Sequence, residues 1–316
     1  MIYQDQELNT LYAKIQAAEG TAETLNVASD AIDCYELSTT PGNDEIEIRR
    51  DRPFSGSRSV RTINHMVTIA GNVYLVGTDP WAAPRIGRIL RACGHTETAG
   101  TDDYLYKPTS VRSQLPFLTC RHDDGDYRYL VKDARGRMTE FRFNMGEVAS
   151  AGFELMAPFD ASTDLTEAAI ATPTYDAVQD ALPITTETAQ LDLDGEEMAC
   201  YGLVVQLNRQ NNMSRNMKES KSKNDKHAAN FTLRVMKTNL ATTNFHQLLR
   251  TNAKIPLLLD IGMATGTANL EFSAPVVQIT GIQNEVIDEY KGLQISGRIL
   301  QTAGNDDYGL KLYRIP

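Results

Sequence analysis

Apolar and polar residues alternate along much of this chain, which is the period of a β-strand with one buried face. The alternation is clearest between Glu45 and Val76. There, Ile46 and Ile48 lie among charged residues, and Val67 and Ile69 lie among polar residues beyond a stretch that contains proline and glycine. Proline and glycine interrupt strands. The pattern therefore predicts two strands joined by a long polar loop.

The loop between these strands is rich in arginine, although the net charge of the chain is −10. A guanidinium group pairs with a carboxylate through two parallel hydrogen bonds, so the loop favours an acidic partner. The nearest acidic surface is another copy of the same chain. We predict that residues 49–62, called the arm below, project from the body and contact a second subunit through Arg49, Arg50, Arg52, Phe54, Arg58 and Arg61.

Shorter alternating runs continue to the C-terminus and are separated by turn signals such as Asp123–Asp126 and Ala134–Arg137. Many short strands with few helices indicate a sandwich or a barrel. The predicted fold class is mainly β: an antiparallel β-sandwich or barrel with two short helices and a long projecting hairpin arm. The further predicted strands are Tyr104–Pro108, Leu115–Arg121, Tyr127–Lys132, Met138–Phe143, Gly152–Ala157, Met198–Leu207, Asn230–Thr238, Ile255–Ile261, Leu270–Phe272, Val276–Thr280, Gly292–Leu300 and Leu310–Ile315.

Helical spacing of apolar residues predicts the two short helices at Pro84–Gly94 and Thr243–Arg250. Proline suits the first turn of a helix and glycine its C-terminal end. The segment Leu8–Ala18 has the same spacing and fits a further short helix. In the first helix the basic side chains are expected to face solvent, namely Arg85, Arg88 and Arg91.

We interpret residues 1–316 as a single β-sandwich domain. Residues 161–193 have weak periodicity and are predicted to be a linker that crosses between the two halves of the fold. Residues 208–228 are polar and basic, so they are predicted to be an insert loop that buries little surface. The favoured interpretation of this insert is a solvated loop or a subunit contact, and contact with nucleic acid is the alternative.

The amino-acid composition disfavours some classes of binding partner. A pI of about 5.1 argues against a protein that grips nucleic acid through its phosphates. No apolar run approaches the ~20 residues that span a bilayer, so no membrane contact is predicted. The N-terminus lacks the features of a signal peptide, and we expect folding in the cytosol. The four cysteines are expected to be reduced thiols.

Motifs for phosphate binding, for a nucleophile elbow and for zinc hydrolases are absent from the sequence, so no catalytic, cofactor-binding or metal residue is predicted. One alternative is a zinc ion, since two cysteines and two histidines are a common ligand set. That site would use Cys93, His95, Cys120 and His122. The acidic runs Asp123–Asp126 and Asp192–Glu197 carry part of a calcium-loop pattern and are interpreted as turns.

The segment Pro84–Gly94 and the following Gly100–Ser110 resemble a recurrent stretch of the tail tube proteins of long-tailed, non-contractile bacteriophages. The resemblance covers roughly residues 40 to 180, through Asp124–Tyr127, Ala134–Gly136 and Phe143–Gly146 to Pro173–Tyr175. In the second half only Gly262, Gly266 and Ala274–Pro275 fit the family pattern, and the basic insert departs from it.

The resemblance implies a β-sandwich subunit, six of which close a ring around an inner β-barrel, with rings stacked into a tube. The arm would reach the adjacent ring. Implied partners are copies of the chain, other tail proteins (tape measure, terminator and tail tip) and double-stranded DNA that passes through the lumen without specific contacts. The implied location is the virion tail, assembled in the host cytoplasm. An acidic lumen would avoid holding the DNA phosphates.

Three alternatives stay open at this stage. The first is another β-sandwich protein of the tail tip or the head–tail joint. The second is a carbohydrate-binding β-sandwich module, although its usual aromatic platform is poorly supplied because Trp81 is the only tryptophan. The third is a hydrolase, which the missing motifs disfavour.

Overall fold

Antiparallel pairing organises the chain. The computed structural model describes residues 9–47, 60–77, 83–111, 114–169, 172–175, 183–209, 211–215, 220–224, 228–237, 243–262, 270–287, 289–302, 304 and 307–313. These residues form mainly strands, with two short helices, and every pairing between the strands is antiparallel. The predicted fold class is confirmed at this level: a large antiparallel sheet consistent with a sandwich or barrel.

In chain order, the strands and helices of the described residues are β1 (Asn9–Ile15), β2 (Ala31–Ile32), β3 (Tyr35–Glu47), β4 (Val60–Tyr74), α1 (Ile86–Ala92), β5 (His95–Ala99), β6 (Asp103–Pro108), β7 (Leu118–Asp124), β8 (Tyr127–Asn144), β9 (Ser150–Pro158), β10 (Leu165–Glu167), β11 (Ala189–Leu193), β12 (Glu196–Met198), β13 (Cys200–Leu207), β14 (Asn211–Arg215), β15 (Ser220–Asn224), β16 (Ala229–Met236), α2 (Phe245–Thr251), β17 (Lys254–Ile261), β18 (Leu270–Ile287), β19 (Tyr290–Ile299) and β20 (Gly309–Tyr313).

One path of pairings runs through the sheet in the order β3–β4–β9–β8–β13–β16–β19–β18–β17–β11–β12. Two long strands carry the branches. The first half of β8 pairs with β7 and β10, and its second half pairs with β9 and β13. The start of β18 pairs with β17 and β20, and β20 continues to β6 and β5. The sheet therefore begins at β3 and ends at β12 along this path.

An aromatic cluster joins distant parts of the sheet. Phe141 of β8 and Phe272 of β18 have ring centroids 6.1 Å apart, and Tyr308 lies 5.9 Å from the first and 5.8 Å from the second. The ring of His95 contacts this cluster, with one nitrogen 3.0 Å from the Leu90 carbonyl oxygen and the other 2.7 Å from the Tyr308 hydroxyl. These side chains are buried. Burial of such large apolar area is the main stabilising contribution to the fold.

Several predicted breaks lie inside strands. The predicted turn at Ala134–Arg137 is wrong, because β8 runs through it. Gly136 is required for strand packing and not for a turn. A Cβ there would lie 2.1 Å from the Glu154 carbonyl oxygen, so glycine lets β9 approach β8 closely. The proline and glycine of Thr39–Asn43 would also indicate a turn, but Pro41 and its neighbours belong to β3. Proline is tolerated there because β3 pairs on one side only among the described strands.

The segment Leu8–Ala18 contains a strand, β1, so the prediction of a helix there is wrong. Leu11, Tyr12 and Ala13 are all fully buried, and β1 lies between β2 and β7. A strand that is buried on both faces loses its alternation. Apolar spacing then cannot distinguish it from a buried helix.

Both predicted short helices are confirmed, each within tighter limits. In α1 the buried residues include Ile89 and Leu90, and Gly94 follows its end with φ of 103°. In α2 the side chain of Asn244 caps the first turn by accepting a hydrogen bond from the Gln247 N–H at 3.0 Å. In the described part of the chain, neither helix has the length and apolar character to cross a membrane.

The basic insert differs from the predicted loop. Within residues 208–228, β14 and β15 pair as an antiparallel hairpin from Asn211↔Asn224 to Arg215↔Ser220. This hairpin lies close to β8 and β9. The predicted linker 161–193 likewise contains strands, because β10 pairs with β8 and β11 pairs with β17. The hairpin β14–β15 carries no apolar alternation, whereas β11 alternates apolar and polar residues over only five positions and β10 has only three residues.

Candidate assembly surface

The hairpin β3–β4 forms the base of the predicted arm. Its register runs from Tyr35↔Asn72 to Glu47↔Val60, so the two predicted strands on either side of the arm are confirmed. On β4 the buried side chains alternate, at Val67, Ile69 and Val73, and β4 also pairs with β9. This alternation fixes the register of the hairpin, since a slip of one residue would expose the apolar row.

The outer edge of this hairpin is open among the described strands. β3 pairs with β4 there and has no second partner. An edge strand presents backbone N–H and C=O groups that another chain can pair with. Glu36, Pro41 and Glu45 lie on this edge, and charged residues and proline limit non-specific pairing with the strands of other molecules. The edge is therefore available for a specific partner and protected against a non-specific one.

Beyond this hairpin the chain enters the arm. Ile46 pairs with Arg61, the one predicted contact residue that the structure describes, and the Arg61 side chain is exposed on β4. The remaining predicted contact residues lie outside the described part of the chain: Arg49, Arg50, Arg52, Phe54 and Arg58. The described residues thus end at Glu47 and resume at Val60 on either side of most of the predicted arm, and the contacts of its arginines stay a prediction.

Side-chain contacts fix the base of the hairpin to the body. The Thr39 hydroxyl lies 2.6 Å from Nδ1 of His122 on β7. Burial lowers the pKa of His122, although nearby carboxylates oppose this shift. At the same end, the rings of Tyr35 and Tyr74 stack with centroids 4.7 Å apart. Because these contacts hold the first residues of β3 and the last residues of β4, the hairpin leaves the body in a defined direction.

Several carboxylates lie close together on β11, β17 and β18, near the β12 end of the sheet path. Asp192 of β11, Asp260 of β17 and Glu271 of β18 lie on adjacent strands. Burial raises the pKa of Asp260, and the neighbouring carboxylates Glu271 and Asp192 raise it further. Lys311 compensates in part, with its Nζ 2.8 Å from Glu271 Oε2. Three carboxylates beside one lysine therefore give this face an excess of acidic groups.

Arg85, which precedes α1, and Arg88 within it do not face solvent freely, so the expectation is wrong for these two residues. Arg85 donates to the carbonyl oxygens of Thr174 and Ala28 at 2.6 and 2.9 Å. Arg88 donates to Asp30 Oδ1 at 2.8 Å and to the Ala13 carbonyl oxygen at 2.7 Å. Both guanidinium groups therefore hold α1 against the segment before β2, which sequence spacing alone did not reveal.

A buried arginine that sequence analysis missed fixes the end of α1. The guanidinium group of Arg209 donates to three carbonyl oxygens, those of Cys93 at 3.1 Å, Gly94 at 2.9 Å and Thr109 at 2.8 Å. Arg209 is 6% exposed. It stands at the start of the basic insert, where its charge suggested a solvated position. No sequence signal distinguishes it from the other basic residues nearby.

The four residues of the zinc alternative do not form a metal site. Both ring nitrogens of His95 already have partners, as described above, and His122 contacts Thr39. Burial raises the pKa of the Cys93 and Cys120 thiols, so both stay protonated at neutral pH. Across the described ranges there is no group of three or more histidine, cysteine, aspartate or glutamate side chains arranged to hold a metal ion.

Both acidic runs are hairpin turns in the structure. Asp123 is 1% exposed and pairs with Arg128 at 2.9 Å and with Arg121 at 3.2 Å, so its carboxylate is committed to structural ion pairs. Asp194 and Gly195 connect β11 to β12 with φ of 60° and 81°. Two consecutive residues with positive φ are typical of a two-residue hairpin turn. The interpretation of both runs as turns is confirmed.

A cavity of about 400 Å³ opens beside β13, lined by Phe143, Ile184, Leu191 and Met198 among others. The one thiol that lines it belongs to Cys200. Burial raises the pKa of this thiol to about 11, so it is not a reactive nucleophile at neutral pH.

Comparisons with known proteins do not identify a family or a site: no family model matches the chain, and no curated protein matches it.

Proposed function

We propose that this chain is a structural subunit that assembles with copies of itself into the tail tube of a long-tailed, non-contractile bacteriophage. In this proposal six subunits form a ring, and stacked rings deliver double-stranded DNA to the host. The tape measure, terminator and tail tip proteins are further partners, and the location is the virion tail after assembly in the host cytoplasm. The sequence resemblance over roughly residues 40 to 180 suggests the family.

The observation that carries the proposal is the hairpin β3–β4. It has an outer edge that is open among the described strands, and it leads directly into the arginine-rich arm. An open edge offers backbone hydrogen bonds to a partner strand, and an arginine-rich segment offers paired hydrogen bonds to carboxylates. Both features are suited to contacts with a further subunit. The same molecule carries 41 acidic residues against 31 basic ones, which supplies the complementary charge.

The acidic face formed by Asp192, Asp260 and Glu271 supports the same function in a second way. DNA phosphates bind to clustered cations and release counterions in doing so. A wall with negative potential makes few such contacts, so DNA passes along it without being held. A face of this kind suits a conduit better than a nucleic-acid-binding protein.

The test is assembly of the purified full chain, followed by light scattering and by electron microscopy of negatively stained samples. We expect tubes of uniform diameter from the wild-type protein. Reversal of Arg49, Arg50 and Arg52 to glutamate should leave the circular dichroism spectrum unchanged and prevent tube formation. Tubes formed equally well by this variant would contradict the role of the arm. Closed rings or small complexes without tubes would favour a tail-tip or head–tail joining protein.

A further inference from the structure

An acidic cleft lies beside β12, the last strand of the sheet path. The hairpin β3–β4 contains the first strand of that path. The cleft has a volume of about 340 Å³ and lies between the β11–β12 turn and α2. Asp194 and Glu196 line it from the turn, and both are exposed. Among the residues that the structure describes, neither carboxylate has an ion pair. The cleft therefore presents two carboxylates to solvent.

A second observation points to a ligand in this cleft. Thr243 lines the cleft, is 8% exposed, and its buried Oγ1 has no hydrogen-bond partner among the described residues. A buried hydroxyl without a partner costs about 1–3 kcal/mol, so native proteins rarely leave one unsatisfied. On the helix side, the Asn244 side chain accepts a hydrogen bond from the Gln247 N–H, so this N–H is not the partner of the Thr243 hydroxyl.

The chemistry of the cleft selects a cationic group with several hydrogen-bond donors. The two carboxylates only accept hydrogen bonds and the Thr243 hydroxyl can accept as well as donate, whereas a guanidinium group offers five N–H donors in one plane. A bare divalent cation needs six or more oxygen ligands at about 2.0 to 2.6 Å, and it occupies far less space than this cleft provides. The volume therefore favours a side chain over an ion.

We infer that this cleft is the acceptor for the arginine-rich arm of a second copy of the chain. The arm follows β3, the first strand of the sheet path, and the cleft adjoins β12, the last strand. Complementary surfaces at different places on one molecule make a head-to-tail contact, which produces rings or filaments. This inference rests on the proposed function and deepens it by naming the receiving surface.

Chain length permits this contact. Glu47 and Val60 are paired at the ends of β3 and β4, and the 12 residues 48–59 connect them. A fully extended chain spans at most ~3.3–3.6 Å per residue, so a segment of this length that leaves the hairpin and returns to it reaches at most roughly 20 Å. This upper limit is the distance over which the segment can extend from the hairpin toward a second copy.

The first test is direct binding of a peptide. The receptor is the full chain with Arg49, Arg50 and Arg52 reversed to glutamate, which keeps the cleft and removes three of the five arginines of its own arm. The probe is a fluorescent peptide of residues 45–62, followed by fluorescence anisotropy at low salt. Asp194→Asn with Glu196→Gln should weaken binding about 10- to 100-fold, because charge-assisted hydrogen bonds are lost. Asparagine suits the positive φ of residue 194, so the turn is retained.

The matched control makes the same change in charge elsewhere. Asp126→Asn with Glu167→Gln alters two exposed acids at the β7–β8 turn and on β10, and it should leave peptide binding within about twofold of the parent. Equal binding by the cleft variant and its parent would overturn the inference. Absence of any peptide binding to the parent would overturn it as well.

Assembly of the full chain separates this inference from the proposed function. If the wild-type protein and the cleft variant form tubes equally well, the acceptor is elsewhere and the inference fails while the proposed function stands. If the peptide binds the cleft but the wild-type chain forms no tubes, the proposed function fails, whereas the inference that the cleft binds the arm is retained. Loss of both peptide binding and tube formation in the cleft variant, with the control unaffected, supports both.

Discussion

The contact between Gly94 and Arg209 gives the sharpest prediction about stability. Gly94 follows α1 with φ of 103°, a conformation that side chains rarely adopt. A Cβ at this position would lie 1.3 Å from Nη1 of Arg209, which cannot be accommodated without moving the guanidinium group. The substitution Gly94→Ala therefore adds a steric clash to a backbone strain.

The magnitude follows from the bonds that the clash would break. Nη1 donates to the carbonyl oxygens of Cys93 and Gly94. A hydrogen bond to a charged group contributes about 1.5–3 kcal/mol, so loss of these two bonds costs about 3–6 kcal/mol. The positive φ adds about 1–2 kcal/mol. The expected total of about 4–8 kcal/mol is comparable to the whole stability of many domains.

The assay is urea unfolding followed by tryptophan fluorescence and circular dichroism, with Gly146→Ala as the matched control. Gly146 has φ of 82°, and a Cβ there would meet nothing within 4 Å, so that substitution isolates the backbone strain. In a chain that also carries Arg209→Met, Gly94→Ala should cost no more than Gly146→Ala, because the clashing group is gone. Equal costs for Gly94→Ala and Gly146→Ala in the wild-type chain would refute the reasoning.

Two further predictions concern a helix cap and a buried histidine. Asn244→Ala should destabilise the protein by about 1 kcal/mol in urea unfolding, because α2 loses its N-terminal cap. Asn244→Asp should retain most of the stability, since aspartate can also cap the helix. Equal losses of stability in the two variants would contradict the capping role. Burial lowers the pKa of His122, so the unfolded chain binds more protons than the folded protein once the pH falls below ~6.5. Stability should therefore be present above that pH and decline as the pH falls toward the lowered pKa, by at most ~1.4 kcal/mol per pH unit. His122→Gln should reduce this slope, and an unchanged slope would assign it to other groups.

The sequence predicted the longer strands that have one buried face, although the five-residue strand β11 was missed. Val67 and Ile69 show this best: they alternate with polar residues, and the structure places both side chains in the core. Both short helices were found in the same way. Strands buried on both faces, such as β1, and polar strands, such as β14, were missed because neither has an alternating pattern.

Long-range contacts explain the remaining errors. Gly136 is required by the approach of β9, and nothing within its own segment distinguishes that need from a turn. Arg209 contacts residues about 100 or more positions earlier in the chain, so its burial could not be read from its polar neighbours. The acidic turn at Asp194 was predicted correctly, but its position beside Thr243 depends on packing between β11, β17 and α2.

Self-assembly is the central claim, and cryo-electron microscopy of the purified wild-type chain tests it most directly. The account predicts stacked rings with the hairpin β3–β4 at a contact between subunits and with residues 49–62 against a neighbouring copy. A population of single subunits at high protein concentration, with the β3 edge exposed to solvent, would contradict it.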